Sequence, residues 1–96
     1  MTIRGFLWLE VIIEKLASKH AVSTKEVEQV FDPENEPYFR FVEKGHREGE
    51  NVYAALGRTN GGRTLIVFFV LKTDGRALVV SAREMTPSER RHYGQR

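Results

Sequence analysis

The residues best suited to chemistry are the arginines in the second half of the chain. Residues 51–96 contain eight Lys or Arg against three Asp or Glu, and every basic residue there except Lys72 is an arginine. Residues 1–50 instead contain seven basic and ten acidic residues. A guanidinium group keeps its charge at physiological pH and can bind a phosphate through two parallel hydrogen bonds. The second half therefore favours a nucleic acid or an acidic protein as partner, although ordinary solvated charge would give the same counts.

Arg83 has the most favourable predicted position among these arginines. Alternation along the last strand places Val79, Ser81 and Arg83 on one face, with Arg83 close to the start of the final helix. Because a helix N-terminus attracts anions, we expect Arg83 to be the main phosphate contact, with Ser81 beside the bound group. The alternative is a structural ion pair between Arg83 and Glu84, Glu89 or an acid on the first two helices.

Three residues of the final helix are further candidates for contact with a nucleic acid. Arg90 and Arg91 are predicted to support Arg83 at the phosphate. Tyr93 could stack on a base or donate a proton, but a tyrosine at a helix end more often packs on a sheet.

The elements that must position these side chains begin with two helices. Apolar residues recur at helical spacing from Phe6 to His20. Ser23 and Glu26 form a capping box that starts a second helix, which Asp32-Pro33 ends.

A sheet and a last helix follow. Four segments have the composition of strands: residues 37–42, 52–58, 63–72 and 77–83. The third is apolar on both faces and should be central, whereas the first should lie at an edge. Thr86 and Glu89 form a second capping box, which starts a helix running through Tyr93. The prediction is one α+β domain over residues 1–96, with two N-terminal helices, an antiparallel sheet of three to four strands and a short C-terminal helix.

Two turns decide whether Arg58 can act together with Arg83. A two-residue Asp74–Gly75 loop places Ile66 opposite Arg83. A three-residue loop at residues 60–62 then puts Arg58 on the same face, whereas a two-residue loop sends it to the other face. We favour the three-residue loop and hence a joint site.

The composition excludes several classes of protein. The chain has no cysteine, so it has neither disulfides nor a thiol nucleophile, and a reducing compartment is the natural setting. Its longest apolar run, Leu65 to Leu71, is far shorter than the ~20 residues that a membrane-spanning helix needs. Residues 1–16 lack the pattern of a secretory signal. We therefore predict a cytoplasmic protein without membrane contact.

Several separated segments resemble those of one known family, the BrnT toxins. In chain order they are Lys19-His20-Ala21-Val22-Ser23, Val30-Phe31-Asp32, His46 with Glu48-Gly49-Glu50, Ala55-Leu56-Gly57, Ser81-Ala82-Arg83, and Glu89-Arg90-Arg91 with Tyr93. They cover nearly the whole chain, and their order and spacing make the set more specific than any one of them.

This resemblance implies a RelE-like fold and a metal-independent ribonuclease that cleaves RNA and arrests translation. It also implies a cognate antitoxin resembling BrnA, which carries a ribbon-helix-helix module. The family often has arginines where this chain has Val52 and Leu78. Arg76 is the candidate substitute for one of them, provided that it reaches the site from the hairpin tip.

Metal-independent cleavage would require charge neutralisation at phosphorus and two proton transfers. Arg83 and Arg58 are the candidates for the first task, and His46 with Glu50 for the proton transfers. His46 could alternatively orient its loop. The three histidines lack zinc-like spacing and no phosphate-binding glycine loop is present, so neither a metal nor a cofactor is predicted.

Two other interpretations remain open. The chain could be a module on the same fold that binds RNA or a protein without cleaving anything. It could also be a plain structural domain or one that forms a homodimer, with Tyr38, Phe39 and Phe41 on the edge strand as the contact surface.

Overall fold

The computed structural model describes residues 1–95, which form an α+β fold. The α-helices are α1 (Glu10–His20), α2 (Thr24–Val30) and α3 (Pro87–Gln95), with one turn of 3-10 helix at Pro33–Asn35. The strands are β1 (Gly5–Leu7), β2 (Tyr38–Lys44), β3 (Asn51–Arg58), β4 (Thr64–Leu71) and β5 (Arg76–Glu84). None of these helices is long and apolar enough to cross a lipid bilayer.

The strands form a single sheet in the order β1-β5-β4-β3-β2. Strands β2 to β5 are antiparallel neighbours, whereas β1 pairs in parallel with β5. Strand β4 is central, as its two apolar faces predicted, and β2 lies at an edge, as predicted from Pro37. Both predicted capping boxes are present, Ser23 with Glu26 and Thr86 with Glu89.

Two parts of the fold prediction were wrong. The sheet has five strands and is mixed, rather than three to four antiparallel strands, and α1 begins at Glu10 rather than near Phe6. Gly5–Leu7 instead pairs with residues 76–78, which supplies the open edge of β5 with hydrogen-bond partners. A continuous apolar run such as residues 6–9 fits a helix or a short strand equally well, so periodicity alone could not separate them.

The sheet carries a hydrophobic core on each face. Helices α1 and α2 cover the larger core, in which Leu16, Val27 and Val30 pack with odd-numbered residues of β4. We call this side the α1/α2 face. The smaller core lies under α3 and consists of Ala54, Leu56, Ile66, Met85 and Tyr93, with Phe68 packed against it. We call this side the α3 face.

The turn between β4 and β5 differs from the prediction. The Lys72 amide donates to the Arg76 carbonyl at 2.9 Å, so the loop consists of three residues, 73–75, and not of Asp74–Gly75 alone. Gly75 has φ +90°, and a Cβ added there would approach the Arg4 side chain to 2.9 Å. Glycine therefore suits this position for two reasons, because it adopts a positive φ without strain and has no Cβ to clash with Arg4.

A β-bulge in β5 compensates for the longer loop. Phe69 pairs with Val79 but Phe68 pairs with Ser81, so Val80 is the extra residue. The bulge restores Ile66 as the partner of Arg83, the register that we predicted from a shorter loop. It also separates Val79, which is buried on the α1/α2 face, from Ser81 and Arg83 on the α3 face. The prediction that all three share a face was therefore wrong for Val79.

Arg63 joins the helices to the sheet. Its guanidinium donates to the carbonyl oxygens of His20 (2.9 Å) and Ala21 (2.7 Å) at the end of α1. It also donates to the carboxylates of Glu26 (3.2 Å), at the start of α2, and Glu84 (2.9 Å), at the end of β5. Carbonyl groups at a helix C-terminus otherwise lack partners, so one side chain satisfies α1 while it binds two carboxylates.

We expect Arg63→Met to lower the free energy of unfolding by about 2–3 kcal/mol, since hydrogen bonds that involve a charged group contribute about 1.5–3 kcal/mol each and this pair network is partly exposed. Urea denaturation followed by circular dichroism measures the change. Arg47→Met is the matched control, because Arg47 is exposed in the β2–β3 loop. Equal midpoints for the two variants would contradict the assigned role of Arg63.

Candidate active site

Arg83 lies at the end of β5, where α3 begins. Its guanidinium forms two hydrogen bonds with Glu89, from Nη1 to Oε1 at 2.8 Å and from Nη2 to Oε2 at 3.0 Å. Nη1 also donates to the Glu84 carbonyl, and the guanidinium lies 5.9 Å from the centre of the Phe68 ring. The Glu89 carboxylate thus accepts the same pair of parallel hydrogen bonds from Arg83 that a bound phosphate would accept.

Glu89 both pairs with Arg83 and caps α3. Its carboxylate accepts a hydrogen bond from the Thr86 amide at 2.8 Å, while the Thr86 hydroxyl accepts one from the Glu89 amide at 3.2 Å. The hydrogen bond from Arg83, which outweighs the opposing effect of burial, and the Thr86 amide lower the pKa of Glu89 from 4.5 to about 2. Glu89 is therefore ionised, and the alternative interpretation of Arg83 as one half of an ion pair describes this conformation.

Arg58 shares the α3 face with Arg83, as the predicted three-residue loop requires. The Thr59 amide donates to the Arg63 carbonyl at 2.8 Å across residues 60–62, and Arg58 pairs with Thr64. Its guanidinium lies 3.8 Å from the Glu36 carboxylate, and both side chains are at least half exposed. An exposed pair at that distance contributes little, so Arg58 can readily turn toward an anion.

The three candidates on α3 occupy different environments. Arg90 donates to the Met85 carbonyl at 2.9 Å yet remains exposed. Arg91 is exposed, and its side chain has no hydrogen bond or ion pair to any of residues 1–95. Tyr93 is only 6% exposed, and its hydroxyl lies 2.9 Å from the Glu36 carbonyl, to which it donates. Tyr93 thus anchors α3 to the sheet and cannot stack on a base in this arrangement.

The predicted proton-transfer residues lie at the opposite end of the sheet. His46 is exposed in the loop between β2 and β3, and Glu50 precedes the first residue of β3, whereas Arg58 is its last. At about 3.3 Å per residue the two ends of this strand are separated by roughly 23 Å. The structure therefore does not bring His46 or Glu50 to Arg83, because register and strand length separate them.

Two of the residues at that far end are already paired with neighbours. Glu50 is 9% exposed, and its carboxylate accepts a hydrogen bond from Lys72 at 3.0 Å. Arg76 donates through Nε to Asp74 at 2.8 Å, beside the β4–β5 turn. Arg76 and Arg83 occupy opposite ends of β5, so Arg76 does not reach Arg83. Val52 and Leu78, where the family often has arginines, both lie opposite Val70, at the same end of the sheet as Arg76.

A groove beside α3 contains residues that sequence reasoning did not assign to the site. It has a volume of about 310 Å³ and is lined by Tyr38, Arg40, His92 and Gln95. Tyr38 and Arg40 pair with Leu56 and Ala54, so they lie on the α3 face. Alternation along the edge strand could have identified Arg40, whereas the position of His92 depends on how α3 docks.

His92 lies on α3, the helix that also carries the partner of Arg83. It follows Glu89 by three residues, a spacing that puts their Cβ atoms about 5–6 Å apart on a helix. Its Nδ1 lies 3.3 Å from the Ser88 carbonyl. If Nδ1 carries the proton and donates it there, Nε2 is left to accept one. Among residues 1–95, no three His, Cys, Asp or Glu side chains lie close enough to hold a metal ion.

The Arg83–Glu89 pair should make stability depend on pH in acid. Because folding lowers the pKa of Glu89, the pair stabilises the native state fully above pH 4.5, and this contribution is lost as the pH falls toward 2. We expect Glu89→Gln to cost about 2 kcal/mol at pH 7, after allowance for screening of the part-exposed pair, and almost nothing near pH 2. Urea denaturation from pH 2 to 7 measures this difference. Glu48→Gln, in an exposed loop, is the control, and a cost for Glu89→Gln that did not vary with pH would refute the pairing.

Comparison with known proteins identifies the family of this chain. The sequence model of one family, described as the ribonuclease toxin BrnT of type II toxin–antitoxin systems, matches residues 8–89. A search of curated proteins returned no match. The matched segment begins at Trp8, directly after β1, and ends at Glu89, whose carboxylate binds Arg83. The chain belongs to the BrnT family of ribonuclease toxins, as its spaced sequence segments indicated.

Proposed function

We propose that this chain is a ribonuclease toxin and that Arg83, on the α3 face, binds the scissile phosphate of the RNA. The observation that carries the proposal is the two-pronged hydrogen bond between Arg83 and Glu89 at the start of α3. That carboxylate presents two oxygens where a phosphate would present two of its own. RNA would enter by displacing Glu89 from the guanidinium.

The surroundings of Arg83 support binding of a polyanion. Arg58 and Arg40 lie on the same sheet face, and Arg90 and Arg91 are exposed on α3. An RNA backbone running along α3 from Arg83 toward the groove at Arg40 would meet positive charge at both ends. Such charge steers RNA to the site and adds affinity that salt weakens.

His92 is the proposed proton-transfer residue in place of His46. With Nδ1 bonded to the Ser88 carbonyl, Nε2 would take the proton of the ribose 2′-hydroxyl. The 2′-oxygen then attacks phosphorus, Arg83 neutralises the added charge, and the bond to the 5′-oxygen breaks as solvent water protonates that oxygen. Guanidinium and imidazole together supply charge and proton transfer, which supports a metal-independent reaction.

The wider biology follows from family membership. A toxin of a type II system has an antitoxin partner. We propose that this antitoxin resembles BrnA with its ribbon-helix-helix module, that the toxin fold is RelE-like, and that RNA cleavage arrests translation.

We expect Arg83→Ala to lower the rate of RNA cleavage by about 10²-fold or more, since loss of a donor to a developing anion has that effect. His92→Gln should lower it by about 10²-fold as well, through loss of proton transfer. Cleavage of a fluorescent RNA by the purified chain measures both rates. Cells that express either variant should also grow faster than cells that express the parent chain.

His46→Gln and Arg76→Ala are the matched controls, because they replace the same residue types at the far end of the sheet. We expect both to cleave RNA within about twofold of the parent rate. If the controls lost activity while Arg83→Ala and His92→Gln kept it, the active site would lie at the far end and the assignment would be wrong.

A non-catalytic RNA-binding module is the second candidate, favoured by the fact that Arg83 is already paired. Measurement of RNA affinity by fluorescence anisotropy tests this candidate function. Glu89→Gln should bind RNA several-fold more tightly than the parent, since it removes the competing charge, whereas Arg83→Ala should bind more weakly and show a shallower salt dependence. RNA that binds in this pattern and stays intact would favour the module over the nuclease.

A further inference from the structure

A groove on the opposite side of the molecule has no role in the proposed chemistry. It has a volume of about 390 Å³ and lies between the N-terminal residues, the end of α2 and strand β2. Apolar side chains make up most of its lining: Met1, Ile3, Phe6, Phe31, Pro33 and Phe39. We call it the N-terminal groove.

The apolar surface continues beyond this groove onto the α1/α2 face. Phe31 contacts the rings of Phe6 (5.0 Å) and Phe39 (5.8 Å), measured between centroids. Phe41, two residues farther along β2, packs edge-on against Tyr53 at 5.9 Å and is 53% exposed. Helix α1 packs mainly on β5, and α2 on β3 and β4, so the aromatic side chains of β2 have little helical cover.

The charges at the N-terminal groove indicate what kind of partner it fits. Its lining includes the carboxylates of Glu28 and Asp32, with the α-amino group of Met1 as a cation and no lysine or arginine side chain. Glu28 is exposed and accepts a hydrogen bond from the Trp8 indole at 2.9 Å, which holds it at the rim. The two carboxylates outnumber the α-amino group, so the groove disfavours RNA. A protein segment with apolar side chains flanked by Lys or Arg complements both properties.

A second copy of this chain fits less well. In a two-fold dimer the same patch faces itself, so Glu28 and Asp32 of the two copies would approach one another. Like charges across an interface are unfavourable. The complementary partner is therefore a different protein.

We infer that the N-terminal groove and the adjoining Phe41 surface bind the antitoxin, through a segment of alternating apolar and basic residues that extends the α1/α2 layer over β2. This inference rests on the proposed function only in that a toxin of this family needs an antitoxin. It places the antitoxin on the face opposite Arg83, so the segment bound here would not itself cover the site. Inhibition would then require the rest of the antitoxin to reach the α3 face.

The test uses the purified full chain and the protein encoded by the reading frame adjacent to the toxin gene, with affinity measured by calorimetry in the absence of RNA. Phe41→Ser removes an exposed anchor, and Thr2→Trp fills the groove from its exposed rim. We expect each to weaken binding by at least about tenfold, as truncation or blockage of a central aromatic anchor does. Val11→Ser is the matched control, because Val11 is 65% exposed on α1 away from the groove.

Charge and location provide independent readouts. Glu28→Gln keeps an acceptor for Trp8 and should weaken binding several-fold, whereas Glu14→Gln on exposed α1 should not. Hydrogen exchange of the complex should show protection at residues 1–6 and 38–44. This hydrogen-exchange measurement uses the parent chain, so it tests the binding surface even if one of the variants folds poorly.

The outcomes separate this inference from the proposed nuclease. Three results would each overturn the antitoxin inference. The groove variants could bind the antitoxin as tightly as Val11→Ser does, the parent chain could form no complex, or the chain could form a homodimer that Phe41→Ser breaks. RNA cleavage by Phe41→Ser and Thr2→Trp is measured separately and should match the parent rate. A chain that binds its antitoxin in the groove but leaves RNA intact would retain this inference and reject the nuclease.

Discussion

The guanidinium of Arg63 joins three elements, α1, α2 and β5, through directional hydrogen bonds. It satisfies two carbonyl oxygens at the end of α1, binds the carboxylate that caps α2 and reaches Glu84 at the end of β5. Because these bonds are directional, they set where the helix pair sits along the sheet as well as how firmly it is held. Burial of Val27 and Val30 supplies energy to the same contact but permits sliding, since hydrophobic attraction has no direction.

A second arginine, Arg83, positions α3 in a comparable way. Its partner Glu89 belongs to the first turn of that helix, so the ion pair, the capping box and the docking of α3 form or break together. Tyr93 secures the other end of the helix through the Glu36 carbonyl. A ligand phosphate at Arg83 would compete with a carboxylate that also stabilises the helix. Binding and local stability are therefore linked at this site.

The uneven charge of the sequence becomes a difference between the two faces of the sheet. The acidic first half supplies Glu28 and Asp32 to the N-terminal groove, and the arginine-rich second half supplies most of the cations of the α3 face. Arg40 departs from this division, because alternation along β2 directs it to the α3 face. The two surfaces thus differ in the charge of the partner that they favour, and a nucleic acid and a protein could bind without competing for the same side chains.

Local chemistry was sufficient to predict much of this structure. The capping boxes at Ser23 and Thr86, the central position of β4, and the edge position of β2 depend on near neighbours in the chain, and all were confirmed. The three-residue loop that brings Arg58 to the face of Arg83 was also confirmed. Family membership could be recognised from short segments because their order and spacing survive in the chain.

Contacts between distant residues decided the rest. Whether Gly5–Leu7 forms a strand depends on the free edge of β5, some seventy residues later, and the bulge at Val80 exists only against β4. The separation of His46 and Glu50 from Arg83 follows from strand length, and the position of His92 beside Arg40 follows from the docking of α3. The sequence by itself determined the elements other than β1, their caps and the number of arginines, because those depend on local propensity. The tertiary structure alone decided which side chains meet, because that depends on register and packing between segments far apart in the chain.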